Sequence, residues 1–253
     1  MELKGVAAIV TGGASGLGGA TAEMLAKQGV KVAIFDLNET LGEEHATKIG
    51  GKFFKVNVID DASVNEGIAA AEAAHGIARV LVSCAGIVAA TKTVGRELIP
   101  HPLDQFRRVI EINLIGTFNV IAKFSARAAT LEPLGEERGV IINTASVAAY
   151  DGQIGQAAYA ASKGGIVGLT LPVARDLSQY GIRVMTIAPG IFWTPMMASL
   201  PLAAQESLGK QVPFPSRLGK PEEYARLVQG IIANPMLNGE VVRLDGAIRM
   251  TPK

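Results

Sequence analysis

The stretch Thr11-Gly12-Gly13-Ala14-Ser15-Gly16-Leu17-Gly18 constrains this chain more than any other. It follows a short apolar run, Val6–Val10, and opens an Ala-rich helical pattern, Gly18–Gln28, that Gly29 ends. A glycine-dense turn between strand and helix gathers backbone N–H groups at a helix N-terminus, where the helix dipole favours an anion. Side chains there would hold a phosphate away, and glycines let the backbone approach it. The spacing is G-x-x-x-G-x-G, and Gly12, Ser15, Gly16, Leu17 and Gly18 are the candidate pyrophosphate contacts. The plainer alternative is a tight glycine turn, against which the strand-turn-helix context weighs.

Beyond this turn, short apolar runs alternate with longer amphipathic stretches. Strands are expected at Lys31–Phe35, Phe53–Val58, Val80–Ser83, Gly139–Thr144, Arg183–Ala188 and Glu240–Leu244. Runs this apolar, alternating with helices, predict an α/β fold. It is a single-domain, Rossmann-type doubly wound sheet of about seven parallel strands with helices on both faces. The alternation reaches Leu244, so residues 1–253 read as one domain. Leu131–Arg138, with Pro133, Gly135 and acidic residues, reads as a surface loop. Residues 191–218 mix four prolines with Phe192, Trp193, Met196, Met197 and Phe214, and read as a partly helical flap over a site.

Composition excludes several classes. Net charge is +1 with no basic block, so no nucleic-acid partner is expected. Cys84 is the one cysteine, which rules out an intrachain disulfide, and His45, His75 and His101 lack the close pairing of a helical metal site, so no metal is expected. No signal-like N-terminus and no continuous apolar span is read, so the expectation is no membrane association and a cytoplasmic protein, or one of the mitochondrial matrix if the source is eukaryotic.

Asp36 closes the second strand, 18 residues after Gly18. A carboxylate there accepts hydrogen bonds from the ribose hydroxyls of a dinucleotide and repels a 2′-phosphate, and neither Ser15 nor Leu37 supplies a cation to offset that repulsion. The cofactor expected is therefore NAD rather than NADP. A strand-end aspartate capping a turn is the alternative.

Ser146, Tyr159 and Lys163 form a second constellation. Ser146 lies just past the fifth strand, at the carboxyl edge where open α/β sheets bind ligands. Tyr159 and Lys163 are i and i+4, on one helix face. Oxidising an alcohol requires a base for its O–H proton. A free phenol, with a pKa of about 10, is too weakly acidic near neutrality unless a nearby ammonium favours phenolate. Lys163 is expected to do this, while Ser146 holds the substrate oxygen. Y-x-x-x-K alone equally describes packing plus a solvated charge. The upstream serine and the glycine turn favour the catalytic reading.

Taken together, these residues resemble the short-chain dehydrogenase/reductase family over essentially the whole chain. The resemblance rests on Thr11–Gly18, Asn113 in Glu-Ile-Asn-Leu, Ser146, Tyr159-Ala-Ala-Ser-Lys163, and Pro189-Gly190 with Thr194. It implies that Asn113 completes a catalytic tetrad and anchors a water chain to Lys163, which also holds the nicotinamide ribose. It implies that Pro189, Gly190, Phe192 and Thr194 line the nicotinamide side, with Thr194 on the carboxamide. Asn57-Val58 and Ser83-Cys84-Ala85-Gly86 stand where the family often has Asp-Val and Asn-Asn-Ala-Gly. Asn57 and Val58 are then assigned to adenine, and Cys84, Ala85 and Gly86 to the adenosine side. Cys84 reads as a small buried residue rather than a reactive thiol.

Segments 139–149, 155–158, 211–219 and 238–250 further resemble the type II 3-hydroxyacyl-CoA dehydrogenases, a branch of that family. This implies a small-molecule acyl-CoA substrate and a homotetramer. Ser146, Gln156, Tyr159, Trp193, Met196 and Met197 are the substrate-side candidates, Met supplying adaptable apolar cover. Core or subunit packing is the alternative for that apolar segment, and solvated charge is the better reading of Lys92 and Arg96 than contact with CoA phosphates. Two competing functions stay open: a hydroxysteroid or other secondary-alcohol dehydrogenase, and a non-catalytic nucleotide-binding subunit.

Overall fold

Strands whose residues are apolar on both sides must be covered on both sides, and the sheet shows this. A computed structural model describes residues 1–194, 197 and 201–252, apart from the side chains of 203 and 204. Its strands are β1 (Ala7–Thr11), β2 (Lys31–Asp36), β3 (Lys52–Lys55), β4 (Val80–Ser83), β5 (Gly139–Thr144), β6 (Ile182–Pro189) and β7 (Val241–Leu244). They form one seven-stranded sheet in the order β3-β2-β1-β4-β5-β6-β7, every pair parallel. The order reverses between β1 and β4, which opens a crevice at their carboxyl ends.

The helices are α1 (Gly16–Lys27), α2 (Glu39–Ile49), α3 (Asp61–His75), α4 (Leu103–Ile110), α5 (Gly116–Ala128), α6 (Ala157–Ser178), α7 (Leu202–Lys210) and α8 (Pro221–Ala233). Alternate strand residues serve two cores. Ala8, Val10, Val82 and Ile142 pack with Leu25 of α1 and with Val228 and Ile231 of α8. Ile9, Leu81 and Ile141 pack with Ile68 of α3, Phe124 of α5 and Val173 of α6. Each such fully buried aliphatic side chain contributes about 1.5–3 kcal/mol relative to exposure. Asn38 and Asp60 cap α2 and α3 by accepting the N–H groups of Leu41 and Ser63, each at 3.1 Å.

Three expectations need correction. β3 stops at Lys55, because the Asn57 N–H turns to the Ser63 hydroxyl at 2.9 Å and leads the chain into α3. The loop 131–138 is not wholly solvated. Glu137 is 5 % exposed and bonds the Arg183 guanidinium at 2.7 Å, while Arg183 also donates to the carbonyls of Ile231, Ile232 and Leu237 at the end of α8 and just beyond it. Third, within the continuous helical run Leu103–Ala128 an 18-residue stretch is apolar enough to cross a membrane by length and composition, at a mean hydropathy of 1.3. Its packing explains that character. Val109, Val120, Ile121, Phe124 and Ala128 are buried, and Lys123 and Arg127 pair with Asp61 and Glu72 of α3.

Candidate active site

The glycine turn lies at the carboxyl end of β1, beside the reversal point. Gly12 adopts φ +63°, and a Cβ there would sit 2.7 Å from the Ala85 nitrogen and 2.8 Å from the Cys84 carbonyl oxygen. A Cβ on Gly18 would press into the Gly12 carbonyl oxygen. The turn, the start of α1 and the 84–86 segment therefore meet backbone to backbone, which any side chain would prevent. Ala85 donates to the Thr11 hydroxyl at 3.2 Å, which seats that segment. Gly16 (φ +57°) and Leu17 open α1, and Ser15 stands exposed at its N-cap with no side-chain cap bond. This open, glycine-lined N-terminus fits a dinucleotide pyrophosphate.

Asp36 ends β2 next to this turn. Its Oδ2 accepts the Ala14 N–H at 3.2 Å and its Oδ1 accepts the Asn38 N–H at 3.1 Å. The carboxylate is thus held at the rim of the turn by two backbone donors. Asn57 lies past β3, and its side chain accepts from the Ile59 N–H at 3.4 Å. The Val58 side chain is 8 % exposed and packs against α5, where a Cβ on Gly116 would meet it. Only the backbone of Val58 is left to face a ligand.

Tyr159 and Lys163 rise from the first turns of α6, and Ser146 follows β5 as the N-cap of a short 3-10 turn, accepting the Ala148 N–H at 3.1 Å. Ser146 hydrogen-bonds Tyr159, which favours phenolate, but burial outweighs this and pushes the phenol above its ordinary value. Lys163 is 6 % exposed, with Nζ 5.8 Å from the centre of the Tyr159 ring. Burial lowers its pKa to about 8. The expectation that the ammonium makes Tyr159 unusually acidic is therefore corrected for the chain by itself: desolvation wins. Nζ donates instead to the Thr144 carbonyl at 2.8 Å.

Asn113 occupies a π-turn, Glu111–Ile115, between α4 and α5, fully buried. Its amide is consumed by the Ile87 backbone, accepting from N–H at 2.8 Å and donating to the carbonyl at 2.9 Å, and by the Ser162 hydroxyl at 3.0 Å. It ties the 86–87 segment to α6 next to Lys163. A Cβ on Gly86 would lie 3.0 Å from Asn113 Oδ1 and 3.6 Å from Lys163 Nζ. Thr144 and Ser162 escaped the sequence reading, because nothing in their spacing marks them.

On the far side of the crevice, Pro189 ends β6, and Gly190 packs closely on Asp245. Phe192 is corrected from flap to core: it is 8 % exposed and lies against Gly219, which belongs to the same turn system. Any contact it makes with a nicotinamide is through its backbone. Trp193 is 47 % exposed, Thr194 accepts the Met197 N–H at 3.4 Å, and Gln156 accepts the Gln153 N–H at 3.0 Å at the head of α6. Met196 lies outside the described residues. A groove of about 440 Å³ runs beside the head of α6, lined by Lys92, Val94, Gln153, Gln156 and Ala160. Arg96 is exposed in a separate 3-10 turn, Arg96–Leu98.

Comparison with known proteins agrees with this geometry. A profile described as short chain dehydrogenase matches residues 6–205. The 3-hydroxyacyl-CoA dehydrogenase type-2 of Homo sapiens is 56 % identical over 255 residues, covering 99 % of this chain and 98 % of the relative. The protein of the same name from Drosophila melanogaster is 53 % identical, covering 99 % and 100 %. The crystal structure of 3-hydroxyacyl-CoA dehydrogenase type-2 from Mycobacterium avium superposes with a TM-score of 0.95 at 44 % identity, covering 98 % of each chain.

Proposed function

This chain belongs to the short chain dehydrogenase family, and from that premise we propose that it moves a hydride between NAD(H) and the C3 hydroxyl or keto group of a short-chain 3-hydroxyacyl-CoA. The observation that carries the substrate is the end-to-end identity of 53–56 % with relatives of that name. When bound, NAD supplies the hydride acceptor at its nicotinamide ring. The chain's own residues do the rest. Tyr159 Oη takes the alcohol proton in oxidation and returns it in reduction. Ser146 Oγ holds the substrate oxygen against it. Lys163, kept close by the Thr144 carbonyl, places a positive charge beside the phenol, and by the family resemblance it would hold the nicotinamide ribose. Asn113 fixes the loop and helix that flank this charge.

Asp36, held at the rim of the glycine turn, supports NAD over NADP. Comparable kcat/KM with NADPH would overturn that preference. Gly12, Ser15, Gly16, Leu17 and Gly18 hold the pyrophosphate. The groove at the head of α6, lined by Gln156, is the candidate path for the thioester tail. Exposed Trp193, with Met197, is assigned to the acyl end of the substrate. The family resemblance implies a homotetramer; a monomer by light scattering would refute it. The cytoplasm, or the mitochondrial matrix of a eukaryote, suits a chain with one free thiol.

The deciding experiment compares kcat/KM for acetoacetyl-CoA, 2-methylacetoacetyl-CoA and a ketosteroid with NADH. Turnover of a thioester is expected. Failure on both thioesters would remove the acyl-CoA reading and leave the hydroxysteroid alternative. Failure on every substrate, with NADH still bound, would favour a non-catalytic nucleotide-binding subunit.

A further inference from the structure

Four polar groups from four different elements meet at the end of β5. Lys163 Nζ of α6 donates to the Thr144 carbonyl at 2.8 Å. The Thr144 hydroxyl lies 2.7 Å from Tyr224 Oη of α8 and 3.4 Å from Cys84 Sγ, which follows β4. Cys84 Sγ and Tyr224 Oη are 3.7 Å apart. Tyr224 is 0 % exposed, on the helix face that fills the core with Val228 and Ile231. A phenylalanine would fill that core position with no polar atom to satisfy. The hydroxyl is instead spent on Thr144 and Cys84.

Both partners lead into the site. Thr144 supplies the acceptor for Lys163 and stands two residues before Ser146. The Cys84 carbonyl backs Gly12, where a Cβ would come within 2.8 Å of it. We infer that Tyr224 is a positioning residue for hydride transfer: its hydroxyl pins Thr144, and the Thr144 carbonyl in turn holds the Lys163 ammonium in place. The inference rests on the reading of Tyr159 and Lys163 as the proton-transfer pair. The titratable groups facing Lys163 are Tyr159 on its own helix, Cys84 after β4 and, across Thr144, Tyr224 of α8; among the described residues no ion pair joins Lys163 to a carboxylate. Burial pushes Tyr224 well above the ordinary phenol value, so it stays neutral while Lys163 titrates.

The test uses Tyr224→Phe, Thr144→Val and the conservative Thr144→Ser in the full chain. The Lys163 titration is read by NMR on isotope-labelled lysine Nζ without any thioester, and kcat and KM are read with one. Tyr224→Phe and Thr144→Val should lower the Lys163 titration point, because a loosened carbonyl favours the ammonium less. They should cut kcat by about five- to tenfold, the scale of one lost hydrogen bond, with KM within about twofold. Thr144→Ser should restore both. A Lys163 titration unchanged in Tyr224→Phe, with kcat falling only as far as the folded fraction falls, would overturn the inference. Should Tyr224→Phe not fold, the Val and Ser variants of Thr144 decide it alone. A wild-type chain that turns over no thioester would strike the proposed function instead, and the lysine titration would still decide this one.

Discussion

Replacing Lys163 with methionine should uncouple stability from activity. The lysine is 6 % exposed and its pKa falls from an ordinary 10.5 to about 8 because burial penalises the ammonium. At about 1.4 kcal/mol per pH unit, the folded chain carries a penalty of about 3 kcal/mol wherever lysine is protonated in both states. The sign follows from proton counting. Between about pH 8 and 10.5 the unfolded chain binds the extra proton, so stability rises with pH across that window and is flat below it. Methionine removes the penalty and keeps most of the apolar stem. It forfeits the 2.8 Å bond to the Thr144 carbonyl. That bond is worth about 1 kcal/mol, and an orphaned carbonyl costs about 1–3 kcal/mol. At pH 7 Lys163→Met should therefore lie within about 1 kcal/mol of wild type in stability, yet be inactive. The sharper readout is the difference between the two proteins. In urea unfolding, wild type should gain about 2 kcal/mol relative to Lys163→Met between pH 7 and about pH 9.5, other titrations cancelling. Parallel pH dependences would refute the claim that this lysine is held uncharged-prone by burial.

Other outcomes follow from the same geometry. Gly18→Ala forces a Cβ into the Gly12 carbonyl, with the Cys84 Cβ 3.2 Å away and no flexible side-chain end to yield; NADH affinity by fluorescence titration should fall by about tenfold or more, the scale of a 1–3 kcal/mol overpacking strain, and an unchanged affinity would refute the close-approach role of that glycine. Glu137→Gln leaves the Arg183 guanidinium buried without its counter-charge; urea unfolding should show a loss of about 3–5 kcal/mol, and a loss below about 1 would contradict a buried pair. Alcohol oxidation should rise toward alkaline pH and ketone reduction should fall, because Tyr159 must shed its proton for the first and keep it for the second; with chemistry rate-limiting, a profile flat from about pH 6 to 10 would count against a phenolic base.

The sheet was legible because its signal is local and repeated. Val80–Ser83 and Gly139–Thr144 carry enough consecutive apolar residues that the strand bounds follow from composition. The end of β3 was not, since Val56 and Val58 carry the apolar signal of Phe53 and Phe54 past Lys55, and only the Asn57–Ser63 hydrogen bond says where the strand stops. Glu137 was misplaced for a related reason. An acidic residue in a Pro- and Gly-containing loop reads as solvated, and its partner Arg183 lies 46 residues away on another strand. Helical spacing put Tyr159 and Lys163 on one face, but spacing carries no information on burial. The direction of the Tyr159 shift, set by desolvation, was therefore beyond it. Thr144, Ser162 and Tyr224 act through contacts between elements far apart in the chain, and each residue alone is ordinary.

The phenolic oxygen of residue 159 bears the whole account, and Tyr159→Phe tests it with the loss of one atom. Steady-state turnover of acetoacetyl-CoA should drop by several orders of magnitude, while NADH titration gives nearly the wild-type affinity. Turnover within about tenfold of wild type, the scale of a single lost hydrogen bond rather than of a lost acid–base group, would contradict the account.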